Sequence, residues 1–243
     1  MTYCVGLKID RGLVFMSDTR TNAGMDSIST FKKMHVWEQP GERVIVLMSA
    51  GNLATTQAVV SLLDERTKAV TDRHEKLLET PSMYQTVRLV GDTVKEVIAQ
   101  SSPAGEKADS YFNASFILGG QILGSPPRLF MIYPEGNFIE STDDTPFFQI
   151  GETKYGKPII IRAYERTMSL AETVKLLLVS FDSTLKSNLS VGLPLDLLFL
   201  EKDAFKVGLK KRIAQDDQYY RTISDGWSNA LKSAFASLPD FPG

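Results

Sequence analysis

The run Thr2-Tyr3-Cys4-Val5-Gly6-Leu7-Lys8-Ile9, followed by Asp10-Arg11-Gly12 and then Leu13-Val14-Phe15-Met16-Ser17-Asp18, decides how the rest of the chain is read. Tyr3 to Ile9 is apolar and rich in strand formers, Asp10-Arg11-Gly12 is a turn signal, and Leu13 to Ser17 is again a strand. The chain therefore opens as a β-hairpin. A polar stretch from Thr19 to Ser29 leads into a second hairpin, Phe31 to Glu38 and Arg43 to Ala50, around Pro40-Gly41-Glu42.

Beyond this the period changes from two to 3.6. Val59, Leu62, Leu63 and Arg66 have helical spacing, and Met83, Val87, Val90, Val94 and Val97 form one apolar stripe after the start signal Thr80-Pro81-Ser82. A polar loop from Ser101 to Ser110 follows. Strands are expected over Phe112–Ile122, Leu129–Tyr133, Asn137–Glu140 and Phe147–Ile150. Helices resume with Leu170, Val174, Leu177, Phe181 and Leu185. Leu195–Leu200 and Phe205–Lys210 read as strands, and Ile223, Trp227, Leu231, Phe235 and Leu238 as a closing amphipathic helix. Hairpins alternating with helix pairs, each helix apolar on one stripe, predict an α+β fold: two antiparallel sheets face to face between helix layers, a four-layer αββα sandwich. No linker divides the 243 residues, so a single domain is expected, with a core over about 2–210 and an additional helix over about 218–238. The stripes at 83–98 and 223–238 exceed what one sheet face covers, which predicts association with further copies through the helix layers.

Composition narrows the function. Twenty-seven Lys and Arg against 29 Asp and Glu leave a net charge of −2, which argues against nucleic acid as the main partner, since phosphate binding needs a basic face. One cysteine allows no internal disulfide framework, and two distant histidines, His35 and His74, make no His-rich metal cluster; neither a cofactor nor a metal is expected. No basic, apolar leader is visible at the N-terminus and no apolar run is long enough to cross a bilayer, so a cytoplasmic protein, away from membranes, is expected.

The chemistry-bearing residue is at the front. Removal of Met1 would leave Thr2 with both a hydroxyl and a free α-amine. An amine of reference pKa about 7.7–8.0 can serve as the hydroxyl's general base without any histidine. Asp18 ends the strand that returns to Thr2, Lys33 opens the third strand, and Ser49-Ala50-Gly51-Asn52 joins the fourth strand to the first long helix. An ammonium near Thr2 favours deprotonation, a carboxylate holds that ammonium, and a glycine at a strand-to-helix turn exposes amides that can stabilise an oxyanion. Each feature also has an ordinary explanation: a small residue after Met1 is common, Lys32-Lys33 can be a solvated pair, Asp18 a strand-end turn residue and Gly51 a turn glycine.

Taken together, Thr2-Tyr3-Cys4-Val5-Gly6-Leu7, Gly12-Leu13-Val14-Phe15-Met16-Ser17-Asp18-Thr19-Arg20, Phe31-Lys32-Lys33-Met34-His35-Val36 and Ser49-Ala50-Gly51 resemble the proteasome β-type subunits. The likeness is to their bacterial ancestral β-subunit branch, Anbu, related also to the peptidase subunit of the bacterial two-component protease. The resemblance implies the N-terminal nucleophile hydrolase fold and threonine peptidase activity. It implies Thr2 as nucleophile with its own amine as base, Asp18 and Lys33 as electrostatic setting, and the Gly51 amide as oxyanion donor. The Thr21 and Asn22 backbone would pair with an extended peptide or unfolded-protein substrate, and Phe31 and Ser49 would line the pocket beside the cleaved bond. A ring-like or related homo-oligomer follows from the same likeness, which leaves open whether an unfoldase partner delivers the substrate.

Two positions depart from the family pattern. Where the family has a Gly-Ser-Gly-like turn this chain has Gly151-Glu152-Thr153, and a carboxylate there would favour the protonated amine. Where many β-subunits place an aspartate with a nearby serine, this chain offers Asp182, Asn188 and Ser190, and one sequence leaves the register open. Three functions therefore stand: a threonine peptidase, a small-amide hydrolase of the same fold, and a peptide-binding assembly subunit that cleaves slowly or not at all.

Overall fold

The computed structural model describes residues 2–22, 28–68, 75–101 and 112–242. Met1, His74 and, apart from Ser101, the expected polar loop Ser101–Ser110 lie outside these residues. The opening run forms β1 (Tyr3–Ile9) and β2 (Gly12–Asp18), an antiparallel pair with Cys4 opposite Ser17 and Leu7 opposite Val14. The polar stretch that follows contains two short strands, β3 (Arg20–Asn22) and β4 (Ile28–Thr30), which pair only with each other. The second hairpin is β5 (Met34–Gln39) and β6 (Arg43–Gly51), followed by α1 (Leu53–Lys68), a 3₁₀ turn at Leu77–Glu79 and α2 (Met83–Ser101). Next come β7 (Ala114–Ile122), β8 (Arg128–Ile132), β9 (Phe138–Glu140) and β10 (Phe147–Gly151), then α3 (Lys157–Ala163) and α4 (Leu170–Ser187). The chain closes with β11 (Leu195–Glu201), β12 (Leu209–Ile213) and α5 (Gln218–Ala236).

Two five-stranded antiparallel sheets result, in the orders β10-β1-β2-β11-β12 and β5-β6-β7-β8-β9. Their facing sides carry Cys4, Leu13, Phe15, Val46, Met48, Ile117 and Leu198, all buried, as the core between sheets. The alternation of strand side chains sends the other set outward to the helices. Leu47, Phe116 and Phe130 meet α1 and α2, while Val5, Leu7, Val14 and Leu197 meet α3 and α4. Four layers, helix–sheet–sheet–helix, follow from this double use of each sheet, as the pattern of the sequence predicts.

The helix stripes behave unequally. All five positions of the α2 stripe are buried against the second sheet and α1, each contributing roughly 2 kcal/mol by leaving water. The expectation that this stripe exceeds its sheet is therefore wrong. On α5 only Tyr220 is buried, while Leu231 and Phe235 are 50% and 79% exposed, as is Leu238 just beyond the helix at 65%. The Tyr220 hydroxyl donates to the buried Asp182 carboxylate on α4 (3.2 Å), which also meets Lys186 (3.0 Å), so α5 docks by its first turns and leaves its apolar second half open. The last strand also differs from expectation. It spans Leu209–Ile213 rather than Phe205–Lys210, because Asp203 and Phe205 take left-handed turn conformations (φ 63° and 47°).

Candidate active site

Thr2 enters β1 between two neighbouring strands. Tyr3 lies opposite Gly151 of β10, and the Glu152 N–H donates to the Thr2 carbonyl (2.6 Å). The chains approach so closely that a Cβ on Gly151 would lie 1.9 Å from the Thr2 carbonyl oxygen, and its φ of +85° is one that side chains resist. Glycine at 151 is thus what lets Thr2 be clamped by its backbone, with its side chain left to the cleft.

Asp18, at the end of β2, is fully buried beneath this point. Its Oδ1 accepts from the Tyr3 N–H (3.0 Å) and from the Lys33 ammonium (2.7 Å), and its Oδ2 from the Gly192 N–H (3.4 Å). Lys33, only 4% exposed, also donates to the Arg20 carbonyl (2.6 Å). Burial raises the Asp18 carboxyl above the usual carboxylate range, opposed by the Lys33 charge and hydrogen bond and by the two backbone amides. A buried ion pair is retained only if its remaining polar atoms are satisfied, and here backbone groups on both sides do that. Lys32, one residue earlier, is exposed, so of the adjacent lysines it is Lys33 that turns inward. The segment is held in place by the Ser49 N–H, which donates to the Lys33 carbonyl (3.0 Å).

Thr2, Thr21, Phe31, Lys33, Ser49 and Gly51 all line one cleft of about 880 Å³. Gly51 takes φ +116°, and a Cβ there would lie 2.3 Å from the Asn113 carbonyl oxygen, so this turn into α1 requires glycine. Asn22 is on β3 with Thr21, although its side chain lies outside the described residues. Because β3 pairs with β4 alone, its other edge has no strand beside it among the described residues, as strand addition by an extended peptide requires. The cleft also includes residues that the sequence reading did not select: Lys32, His35, Thr56, Gln57 and Ser61. Burial first, then the Lys32 charge, lowers His35 to about 4, so its ring is neutral at pH 7.

The auxiliary residues resolve their register. Glu152 is buried; its Oε2 accepts from Asn188 Nδ2 (2.9 Å) and its Oε1 from the Lys154 N–H (3.3 Å). The Ser190 N–H donates to Asn188 Oδ1 (2.9 Å). Asp182 belongs instead to the α4–α5 contact. The loop after α4 thus brings Asn188 and Ser190 toward Glu152 and Gly192 toward Asp18. Cys4, two residues from Thr2, is fully buried; burial and the Asp18 charge both push its thiol up, so it is a neutral packing group rather than a nucleophile. Among the described residues no three His, Cys, Asp or Glu side chains gather as metal ligands.

Comparison with known proteins agrees with this fold. A family model described as Proteasome subunit matches residues 2–192. No curated protein matches. Among solved structures, a Gly-1 mutant of Anbu from Hyphomicrobium sp. strain MC1 is 55% identical with a TM-score of 0.93, covering 100% of both chains. Anbu, the ancestral beta-subunit, from Yersinia bercovieri is 50% identical (TM-score 0.92, covering 100% of this chain and 99% of that one). The Anbu complex from Pseudomonas aeruginosa, solved as a helical assembly, is 47% identical (TM-score 0.92, with the same coverage). The match of α5 as well as of the two sheets distinguishes these relatives from the family model, which stops before β11. The chain belongs to the proteasome subunit family, in its Anbu branch.

Proposed function

We infer that the protein is a peptidase subunit of the proteasome type, cleaving peptide bonds with Thr2 after removal of Met1. The observation that carries this is the buried Asp18 carboxylate joining the Lys33 ammonium (2.7 Å) to the backbone of the residue after Thr2 (3.0 Å) at the floor of an open cleft. In this reading Thr2 Oγ1 adds to the substrate carbonyl carbon and its proton passes through the α-amine to the departing amine. The resulting ester is then hydrolysed by water, with the Gly51 amide on the oxyanion. The Lys33 charge lowers the cost of deprotonating both the amine and the hydroxyl. Thr21, Asn22, Phe31 and Ser49 would hold the peptide. The test is release of new peptide termini, followed by mass spectrometry, from protein whose chain starts at Thr2. Hydrolysis of small acyl amides alone would favour the amidase of the same fold instead.

A second reading, an assembly subunit that binds peptides but turns them over slowly, is favoured by Glu152. Its backbone N–H meets the Thr2 carbonyl (2.6 Å) while its carboxylate holds Asn188 (2.9 Å), and a negative charge near the amine would favour the protonated form, which is no base. Glu152→Gln keeps an acceptor for Asn188 and removes the charge. The ascending limb of the pH–rate profile is expected to move about one unit toward acid, with a several-fold gain near pH 7. An unchanged profile would show that Glu152 does not restrain the site.

Self-association is expected through the open half of α5. Leu231, Phe235 and Leu238 form an exposed apolar row beside a groove of about 590 Å³ between α3, α4 and α5. Light scattering at micromolar concentration should give a multiple of the chain mass, reduced by Phe235→Asp; a monomer would contradict this. No helix among the described residues is long and apolar enough to cross a membrane, consistent with work in the cytoplasm.

A further inference from the structure

We propose that the cleft selects peptides with an acidic side chain, glutamate or aspartate, at the residue preceding the scissile bond, and that Lys32 is the specificity-determining residue. This rests on the reading of Thr2 as the attacking group, which places the side chain before the cleaved bond in the cleft between β5 and α1. Two ammonium groups line that cleft, Lys32 and Lys33. Lys33 is paired with Asp18 at 2.7 Å and turned toward the β1–β2 floor, where its charge acts on the nucleophile. Lys32 has no ion-pair partner among the described residues and is exposed. No carboxylate is among the described residues that line the cleft. Asp64 on α1, close enough to act on the charge of His35, lies outside this lining and accepts from Trp37 Nε1 (2.6 Å).

Beside the apolar Phe31, Ala50, Leu53 and Val60, the polar lining groups suit a carboxylate. Gln57 and Ser61, successive along one face of α1, offer an amide and a hydroxyl donor, and Ser49 a further hydroxyl. A basic side chain would be repelled by the Lys32 charge, and a purely apolar one could lie against Leu53 and Val60 but would give that charge no partner. The adjacent neutral His35 adds no competing charge at pH 7. Lys32 therefore acts on the substrate, whereas Lys33 acts on the nucleophile, and adjacent lysines serve different partners because only one turns inward.

Two measurements separate this inference from the peptidase reading. Fluorescence anisotropy on Thr2→Ala protein, with blocked peptide amides ending in Glu, Gln, Leu or Lys, reads the pocket without turnover. Glu should bind about fivefold tighter than Gln or Leu and tighter still than Lys, with the margin shrinking as salt rises. Lys32→Glu, made in the same background, should invert the order so that the Lys peptide binds best. The second measurement is turnover by the unsubstituted chain of the same four sequences carrying a fluorogenic amide. Binding with a Glu preference but no turnover supports the pocket assignment and overturns the peptidase reading. Turnover without a Glu preference overturns the pocket assignment and leaves the peptidase reading standing. Leu as the best peptide, an order unaltered by Lys32→Glu, or no binding of any peptide each overturns the proposal.

Discussion

Thr2→Ala is expected to bring peptide hydrolysis down to the rate of buffer alone while the fold and assembly persist. The hydroxyl and the α-amine of one residue supply both nucleophile and base, and no other side chain in the cleft offers that pair. Ser49 and Thr56 have hydroxyls but only amide nitrogens, His35 is an aromatic ring set apart on β5, and Cys4 is buried as a neutral thiol. Alanine at position 2 keeps the carbonyl that accepts from Glu152 and leaves Tyr3 to donate to Asp18, so the backbone clamp is untouched. The measurement is turnover of one fluorogenic peptide, with circular dichroism and light scattering as controls for fold and assembly. Turnover by Thr2→Ala at the rate of the unsubstituted chain would remove Thr2 from the mechanism.

Lys33→Ala should cost on the order of 3–4 kcal/mol in transition-state stabilisation, roughly a hundredfold to a thousandfold in kcat, as when one stabilising donor is lost from an active site. It should also lower stability, since removing one partner of a buried pair leaves the other charge uncompensated, about 3–5 kcal/mol in comparable cases. The two effects are separable. Asp18→Asn combined with Lys33→Ala removes the orphaned charge, so much of the lost melting temperature should return while kcat stays low. A double variant that regains activity along with stability would mean that Lys33 acts only by holding the fold.

The fold was legible where periodicity is strong. Val87, Val90, Val94 and Val97 announce α2 because each lies on one face and all are buried, and the opening hairpin follows from Asp10-Arg11-Gly12 between two apolar runs. Legibility failed where pairing rather than pattern decides. Phe205–Val207 looks like a strand, yet the left-handed conformation at Phe205 delays pairing until Leu209 meets Phe199. Arg20–Asn22 and Ile28–Thr30 carry no apolar alternation, because their two-stranded ribbon covers no core of its own.

The candidate site was legible by resemblance more than by spacing. Thr2, Asp18 and Lys33 are distant in sequence, and nothing in the residues themselves shows that an ammonium after β4 reaches a carboxylate at the end of β2. The Gly192 N–H on Asp18 was unreadable for the same reason, since a backbone amide carries no side-chain signature. The choice between Asp182 and Asn188 turns on where α4 ends. The helix runs to Ser187 and Asn188 caps it, turning toward Glu152, while Asp182 is one and a half turns earlier on the face that meets Tyr220. Lys32 reads as a solvated residue because it is solvated; only the cleft beside it gives its charge a direction.

The measurement that bears most directly on the central claim is the intact mass of the protein purified from its native cell. A chain starting at Thr2, with Met1 removed, is the predicted result, because only then does one residue carry hydroxyl and free amine together. A mass that retains Met1 in the assembled protein would contradict the account, since the α-amine would be tied up in a peptide bond and Thr2 would have no base.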